Sequence, residues 1–292
     1  MITEVMLLAV TMLYLLLATI SDIKTREVPD WLSYAFIAFA FFVKGIHAIL
    51  YQDKTFFFLG LLGFGISFGI ANLMYYTKQW GGGDAKVLMG LGIVFISYPS
   101  FLLQYLSPSL KAPFFFTFVL NIFLIGAFYG IFFAFILAIS HRTQTKRMFK
   151  AMLEKKSMVN VRNSILVISG ILLLLSFIIL KDSFSKLFLI VLVLFLFILF
   201  YLSTFVRAVE KATLYKLVPV AKLTEGDWIV NPVVINKKII YDPRSIGVTK
   251  KQIELMKKIK VNKVLVKEGI PFIPSFFIAT IISLIFGNIL FI

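Results

Sequence analysis

Eight stretches of this chain are apolar for long enough to cross a bilayer, and that pattern constrains the fold more than any other feature. A hydrocarbon core about 30 Å thick takes about 20 mostly apolar residues per helix. Runs of that size fall at roughly 4–21, 31–51, 55–77, 85–106, 113–140, 163–180, 185–206 and 271–292. Of all residues, 60% are hydrophobic and 15% charged, whereas about a quarter of a soluble domain is charged. The expected fold class is therefore an all-α polytopic membrane protein with about eight transmembrane helices. The fifth run is long enough to tilt or to project past the bilayer. The sixth and seventh are separated only by Lys181-Asp182-Ser183-Phe184 and should form a tight hairpin. The first run lacks the small-residue cleavage site of a signal peptide and reads as a retained helix.

Orientation follows from the basic residues between the runs. The connections after runs one, three, five and seven hold Lys24 and Arg26, Lys78 and Lys86, a basic run from Arg142 to Arg162, and the Lys-rich segment 207–270. The alternate connections are short and carry few charges. The basic loops thus fall on one face, expected to be cytoplasmic, with both termini outside. Most of the formal +16 is then a topology signal that also attracts anionic lipid headgroups. No module interleaving aromatic and basic residues is present to suggest nucleic acid as a partner.

Residues 207–270 are the stretch that could fold in water, as a small cytoplasmic α+β appendage before the last helix. Trp228–Ile235 and Lys238–Tyr241 read as strands joined by a turn at Asn236-Lys237, and Lys263–Lys267 as a third. Thr249 is a plausible N-cap for a helix presenting Ile253, Leu255, Met256 and Ile259 on one face. The domain division expected on these grounds is a membrane catalytic domain over 1–206, with its working part within 1–140, the basic domain 207–270, and a final span over 271–292.

Composition narrows the chemistry. Cys is absent, which removes disulfides, thiolate metal sites and a Cys nucleophile, and His47 and His141 are the two imidazoles. No metal and no cofactor is expected. Acids beside apolar spans, by contrast, are costly and are functional suspects by default. Asp22 ends run one within Ser21-Asp22-Ile23-Lys24-Thr25-Arg26-Glu27-Val28-Pro29-Asp30, and Asp84 opens run four within Gly81-Gly82-Gly83-Asp84-Ala85-Lys86. Three crossings return the chain to the same face, so both acids are expected at one membrane depth. Two such acids can share a proton: the ionised one takes a proton from an attacking water while the protonated one donates toward a carbonyl oxygen. Glycines 81–83 should let the backbone adopt conformations closed to other residues and let a substrate strand approach and pair.

Other features have plainer readings. Asp30 is the expected cap of the second helix, with Pro29 fixing the turn. Gly65 with Gly69, and Gly126 with Gly130, suit helix-packing faces. Trp31 and Trp80 suit interfacial anchors, and His47 and His141 solvated or headgroup-facing positions.

The motif running from Asp22 to Asp30, with basic residues followed by Val28-Pro29-Asp30, and the motif Gly81-x-Gly83-Asp84 together resemble the archaeal preflagellin and prepilin peptidases, type IV prepilin peptidase-like aspartic proteases of the GxGD class. The segment Lys267-Glu268-Gly269-Ile270-Pro271-Phe272-Ile273-Pro274 resembles the same branch. The resemblance implies catalysis by Asp22 and Asp84 and removal of a short basic leader from pilin-like precursors at the cytoplasmic face. It further suggests that Glu27 or Asp30, beside Gly81, Gly82 and Gly83, holds the leader. The zinc-type cysteine pairs of many bacterial relatives are missing, and eight spans exceed the six of smaller archaeal members. The rival readings are a presenilin-like intramembrane protease, although Asp22 follows Ser21 where that family has Tyr and no Pro-Ala-Leu triplet is present, an ion-coupled transporter using the Asp pair, and a membrane scaffold.

Overall fold

A computed structural model of the protein describes residues 1–235 and 238–291. Helices α1 (Ile2–Thr25), α2 (Asp30–Leu50) and α3 (Lys54–Tyr76) lie where the first three apolar runs predict them. Local chemistry sets the turns. At the end of α1, Arg26 adopts a left-handed conformation (φ 60°) and its N–H closes on the Asp22 carbonyl at 2.8 Å. The hydroxyls of Ser21 and Thr25 both donate to the Glu27 carbonyl and fix the reversal into α2. Asp53 caps α3 by accepting the Phe56 N–H.

The fourth and eighth runs depart from expectation. Helix α4 covers Gly82–Val94, 13 residues rather than the whole of 85–106, and a 3-10 turn follows at Ser100–Gln104. Pro99 stands just before that turn and disfavours helix at the residue preceding it. The last long helix, α10 (Ile273–Phe286), has 14 residues. It stops at Gly287 (φ 71°), where any Cβ would fall 2.3 Å from the Ser109 carbonyl oxygen. At 1.5 Å per residue each is about 20 Å long, short of the hydrocarbon core. Among the described residues, six helices are long and apolar enough to cross a membrane: α1, α2, α3, α5 (Phe114–Ser140), α7 (Lys156–Ile179) and α8 (Ser183–Thr213).

The chain divides into two compact units. The first contains Met1–Gly130, Val218–Val264 and Gly269–Ile292. At its centre α4 is wrapped on several sides, with Val87, Leu88, Leu91 and Ile93 fully buried. Two glycines admit its neighbours. A Cβ on Gly90 would lie 2.7 Å from the Phe36 ring of α2, and one on Gly92 would overlap Ser67 and the Gly63 carbonyl of α3. The glycine face of α3 is thus Gly60 and Gly63; the expected pair Gly65 and Gly69 faces open space. Gly126 is a packing position, against Phe272, whereas Gly130 is open. Tyr14 of α1 stacks on Phe36 at 4.2 Å and hydrogen-bonds Ser33.

Trp80 is buried, stacked on Phe123 and edge-on to Phe276, so it is a core residue rather than an interfacial anchor; Trp31 is 71% exposed. His47 is also less solvated than expected. Its Nδ1 meets the Thr3 hydroxyl at 2.9 Å and its ring packs on Phe56. His141 is exposed.

Residues 218–264 of this unit hold short strands β2 (Trp228–Ile229), β3 (Val233–Ile235) and β4 (Lys238–Tyr241) and helix α9 (Lys250–Lys258). The strand expected over 228–235 is broken at Asn231-Pro232, where proline has no N–H to give the ladder. β3 and β4 pair antiparallel; the expected turn at Asn236-Lys237 lies outside the described residues. Thr249 caps α9 as predicted, accepting from the Gln252 N–H. Ile253 and Met256 are buried; Leu255, two residues on from Ile253, turns to the other face, and Ile259, just past the end of α9, is exposed. Two further strands, β1 (Tyr215–Pro219) and β5 (Lys263–Lys267), form a sheet in the order β1-β5-β2.

The second unit contains Ile131–Leu217 and Leu265–Glu268. The hairpin of α7 and α8 is present, with Asp182 capping α8 through the Ser185 N–H at 2.7 Å. The basic run expected as a loop contains a helix of its own, α6 (Arg142–Leu153), whose Phe149 meets Phe205 of α8. α8 has 31 residues, about 46 Å, and outruns a bilayer core. Ion pairs Lys267–Glu210 and Lys216–Glu268, both at 2.8 Å, tie its end to the adjoining strands.

Candidate active site

The two suspect carboxylates both lie in the first unit. Asp22 occupies the last turn of α1, one turn before the left-handed Arg26, and is buried at 5% exposure. Asp84 is the third residue of α4, and its Oδ2 reaches back to accept the Gly81 N–H at 2.9 Å, satisfying a donor left open where the helix begins. The Asp22 and Asp84 carboxyl groups are near enough to act on each other electrostatically. Two further contacts join their flanking segments. Val28 packs on Gly83, where a Cβ would lie 3.5 Å from it, and Asp30 pairs with Lys86.

Asp30 therefore does something other than what was expected of it. Pro29 holds the cap position of α2, and Asp30, the first helical residue, makes no capping bond; its carboxylate goes to Lys86 across the motif boundary. Glu27 is exposed and accepts from the Thr224 hydroxyl at 3.3 Å. Close by, Lys78 donates to the Pro243 carbonyl at 2.7 Å. The segments that flank both acids are thus tied to residues 218–264.

The glycines also work differently from the expectation. Gly81 sits at φ −74°, and glycines 81–83 are not among the positive-φ residues. Their contribution is space. A methyl on Gly81 would find only the Asp84 carboxylate, at 3.5 Å, and one on Gly82 only the Tyr75 ring, at 3.8 Å. Beside Asp84 the backbone is thus uncovered at Gly81 and Gly82, while Val28 covers Gly83.

Sequence reasoning missed what holds Asp22. Its Oδ2 accepts the Ile273 N–H at 2.8 Å, so the end of α1 caps the start of α10 from 251 positions away. Phe272, next in the chain, packs on Trp80, Tyr129 and Phe276. The signal available was Pro271-Phe272-Ile273-Pro274, a helix entry marked by two prolines. Among the described residues, no group of three or more His, Asp and Glu is placed to hold a metal ion.

Two carboxyl groups close enough to feel each other's charge could share a proton with a bound water between them. Helices long and apolar enough to cross a membrane define the class, a multi-pass membrane protein. Residues 9–139, a little under half of the chain and including both acids, match the Type IV leader peptidase family. It is similar to a preflagellin peptidase of Methanocaldococcus jannaschii, 31% identical over 84 residues, which are 29% of this chain and 36% of that protein. It is also similar to a preflagellin peptidase of Methanococcus maripaludis, 27% identical over 123 residues, 42% of this chain and 53% of that protein. The match thus spans about a third to a half of the relatives' length. No solved structure matches the chain.

Proposed function

We propose that this protein is a membrane aspartic endopeptidase that removes a short basic leader from type IV pilin-like precursors, with Asp22 and Asp84 as its catalytic pair. One observation carries the reading. Acids 62 positions apart, one ending α1 and one opening α4, lie in one compact unit with their flanking segments joined, inside the stretch that matches a leader peptidase family. The names of the relatives favour the substrate class.

In the proposed reaction one carboxylate takes a proton from water as its oxygen bonds to the scissile carbonyl carbon. The partner carboxylic acid donates its proton to the carbonyl oxygen. Collapse of the resulting gem-diol breaks the C–N bond, the amine nitrogen takes up a proton, and the new carboxyl group departs with the leader. The proton is shared and belongs to the pair. A peptide bond must be extended to be attacked, and the uncovered backbone at Gly81 and Gly82 leaves room for it to approach. Glu27 supplies negative charge for a basic leader. Asp30, held by Lys86, is the weaker candidate for that role.

The reading places this end of the molecule at the cytoplasmic face and both termini outside, following the basic loops. It treats α4 and α10 as shortened crossings that complete the eight. The deciding experiment incubates the purified protein with a pilin-like precursor and identifies the new N-terminus by mass spectrometry. Cleavage just before the hydrophobic segment, lost in both Asp22→Asn and Asp84→Asn, is the expected result. Full cleavage by either variant would remove the carboxylate-pair mechanism.

A further inference from the structure

The proposed mechanism needs Asp22 held at a fixed angle to Asp84, and Asp22, though buried, lies in the last turn of a helix, beside the point where the chain reverses. The segment that enters α10 supplies the hold. At one end, the Gly269 carbonyl accepts from the Arg26 guanidinium at 2.8 Å. At the other, the Ile273 N–H is received by Asp22 Oδ2 at 2.8 Å. Between them Pro271 restricts the backbone. The five residues thus run as a strap from the residue that terminates α1 to the carboxylate one turn before it.

What fixes the strap is the Phe272 ring. It enters a space that exists because residue 126 of α5 has no side chain; a Cβ there would stand 2.5 Å from Phe272 Cζ. Tyr129, one turn further along α5, meets the ring edge-on at 6.5 Å, and Trp80 lies against it at 6.2 Å. Trp80 directly precedes Gly81, the residue whose N–H binds Asp84. One aromatic side chain therefore touches Trp80, two residues before the helix that carries Asp84, while its neighbour's N–H holds Asp22.

We infer that Phe272, seated in the gap at Gly126, is a positioning residue that sets the geometry of the Asp22–Asp84 pair through the strap Gly269–Ile273. It never touches substrate. The inference rests on the carboxylate-pair reading above and goes beyond it, because the family match ends at residue 139 and does not include the strap. A residue of this kind acts on the chemical step and leaves substrate binding alone. A displacement of the order of an ångström at a catalytic group is enough for a fall of about 100-fold.

The test measures kcat and KM separately for cleavage of a pilin-like precursor by the full-length protein in lipid. Phe272→Ala should lower kcat at least tenfold with KM within twofold of the parent, and Phe272→Tyr should restore kcat to within threefold. Gly126→Ala, which pushes on the ring from the other side, should reproduce the kcat loss. Adding it to Phe272→Ala should cause no further fall, since the ring it would strike is gone. If Phe272→Ala fails to fold, as judged by its elution and thermal transition in detergent, Arg26→Gln releases the other end of the strap and should lower kcat several-fold. An unchanged kcat in the folded variants, or a loss confined to KM, overturns the inference. Asp22→Asn separates the two ideas. If it still cleaves, the carboxylate-pair reading fails; if it is inactive while Phe272→Ala is fully active, only the strap does.

Discussion

Helices α4 and α7 are both apolar, yet they occupy opposite environments. α4 is 13 residues enclosed by protein, with Val87, Leu88, Leu91 and Ile93 at 0% exposure. α7 is 24 residues whose Leu174, Phe177 and Ile178 are 65–79% exposed, a surface suited to lipid. Hydrophobicity does not separate the two, since lipid tails and a protein core are equally apolar. Small residues do. Gly90 and Gly92 of α4 bring neighbouring backbones to contact, while Gly170 of α7 has nothing near it. Asp84 is carried by the enclosed helix, and Asp182, at the tip of the α7–α8 hairpin, caps a helix among exposed neighbours. Packing on every side is what can hold a carboxyl group to catalytic tolerance.

The largest effect that would break this contrast is on activity. Asp84→Asn should reduce precursor cleavage by about 10²–10⁴-fold, the range removed with a general acid or base. Asp182→Asn should leave the rate as it was. Comparable losses in the two variants, read in one cleavage assay, would show that the enclosed position confers nothing special.

Stability comes next. Gly92→Ala places a Cβ 1.8 Å from Ser67 Oγ and 2.6 Å from the Gly63 carbonyl oxygen. Overpacking against backbone costs about 1–3 kcal/mol or more and should lower the midpoint of thermal unfolding in detergent. Gly170→Ala meets open space and should not lower it. Equal midpoints would mean that α4 is not clamped between α2 and α3.

Much of the site was legible because it followed from counting. Counting alternate crossings leads to the expectation that Asp22 and Asp84 share one face, and Val28 on Gly83 with Asp30 on Lys86 joins the segments that flank them. What was illegible depends on which way a helix faces. α3 is apolar all round, so hydropathy could not say that Gly60 and Gly63, rather than Gly65 and Gly69, meet α4. The extents of α4 and α10 were hidden for a related reason. Apolar residues past Val94 pack as irregular chain, with Phe95 fully buried, and composition does not distinguish that from a continuing helix. The bond from Ile273 to Asp22 joins the ends of the chain, and no local pattern encodes it.

The glycines beside Asp84 give an intermediate effect of a different kind. Gly81 does not sit at positive φ and has room for a methyl group, so Gly81→Ala should leave the thermal midpoint unchanged, unlike Gly92→Ala. If the uncovered backbone there receives an extended substrate, the same methyl should raise KM several-fold, the loss expected when backbone approach is blocked. Unaltered KM would reduce glycines 81–83 to a loop with no part in binding.

The smallest effect compares one kind of contact in the two units. Lys86–Asp30 joins the two motifs, with side chains 22% and 67% exposed and the Tyr34 ring 5.3 Å from the ammonium. Lys150–Glu154 spans one turn of α6 at 3.9 Å, with side chains 80% and 65% exposed. Exposed pairs contribute about 0–1 kcal/mol, because water and salt screen the attraction and two long side chains lose freedom. Lys86→Met should therefore cost at most about 1 kcal/mol, and Lys150→Met nothing measurable. The partial burial of Lys86 is the reason for the difference, and salt is the way to isolate it. A Debye length of about 3 Å at 1 M salt removes most of an exposed pair's energy but less of a half-buried one's. The thermal midpoint of Lys86→Met should thus stay below the parent's at high salt. A gap that closes completely would place Lys86–Asp30 with Lys150–Glu154, as a surface contact that joins the motifs without stabilising their junction.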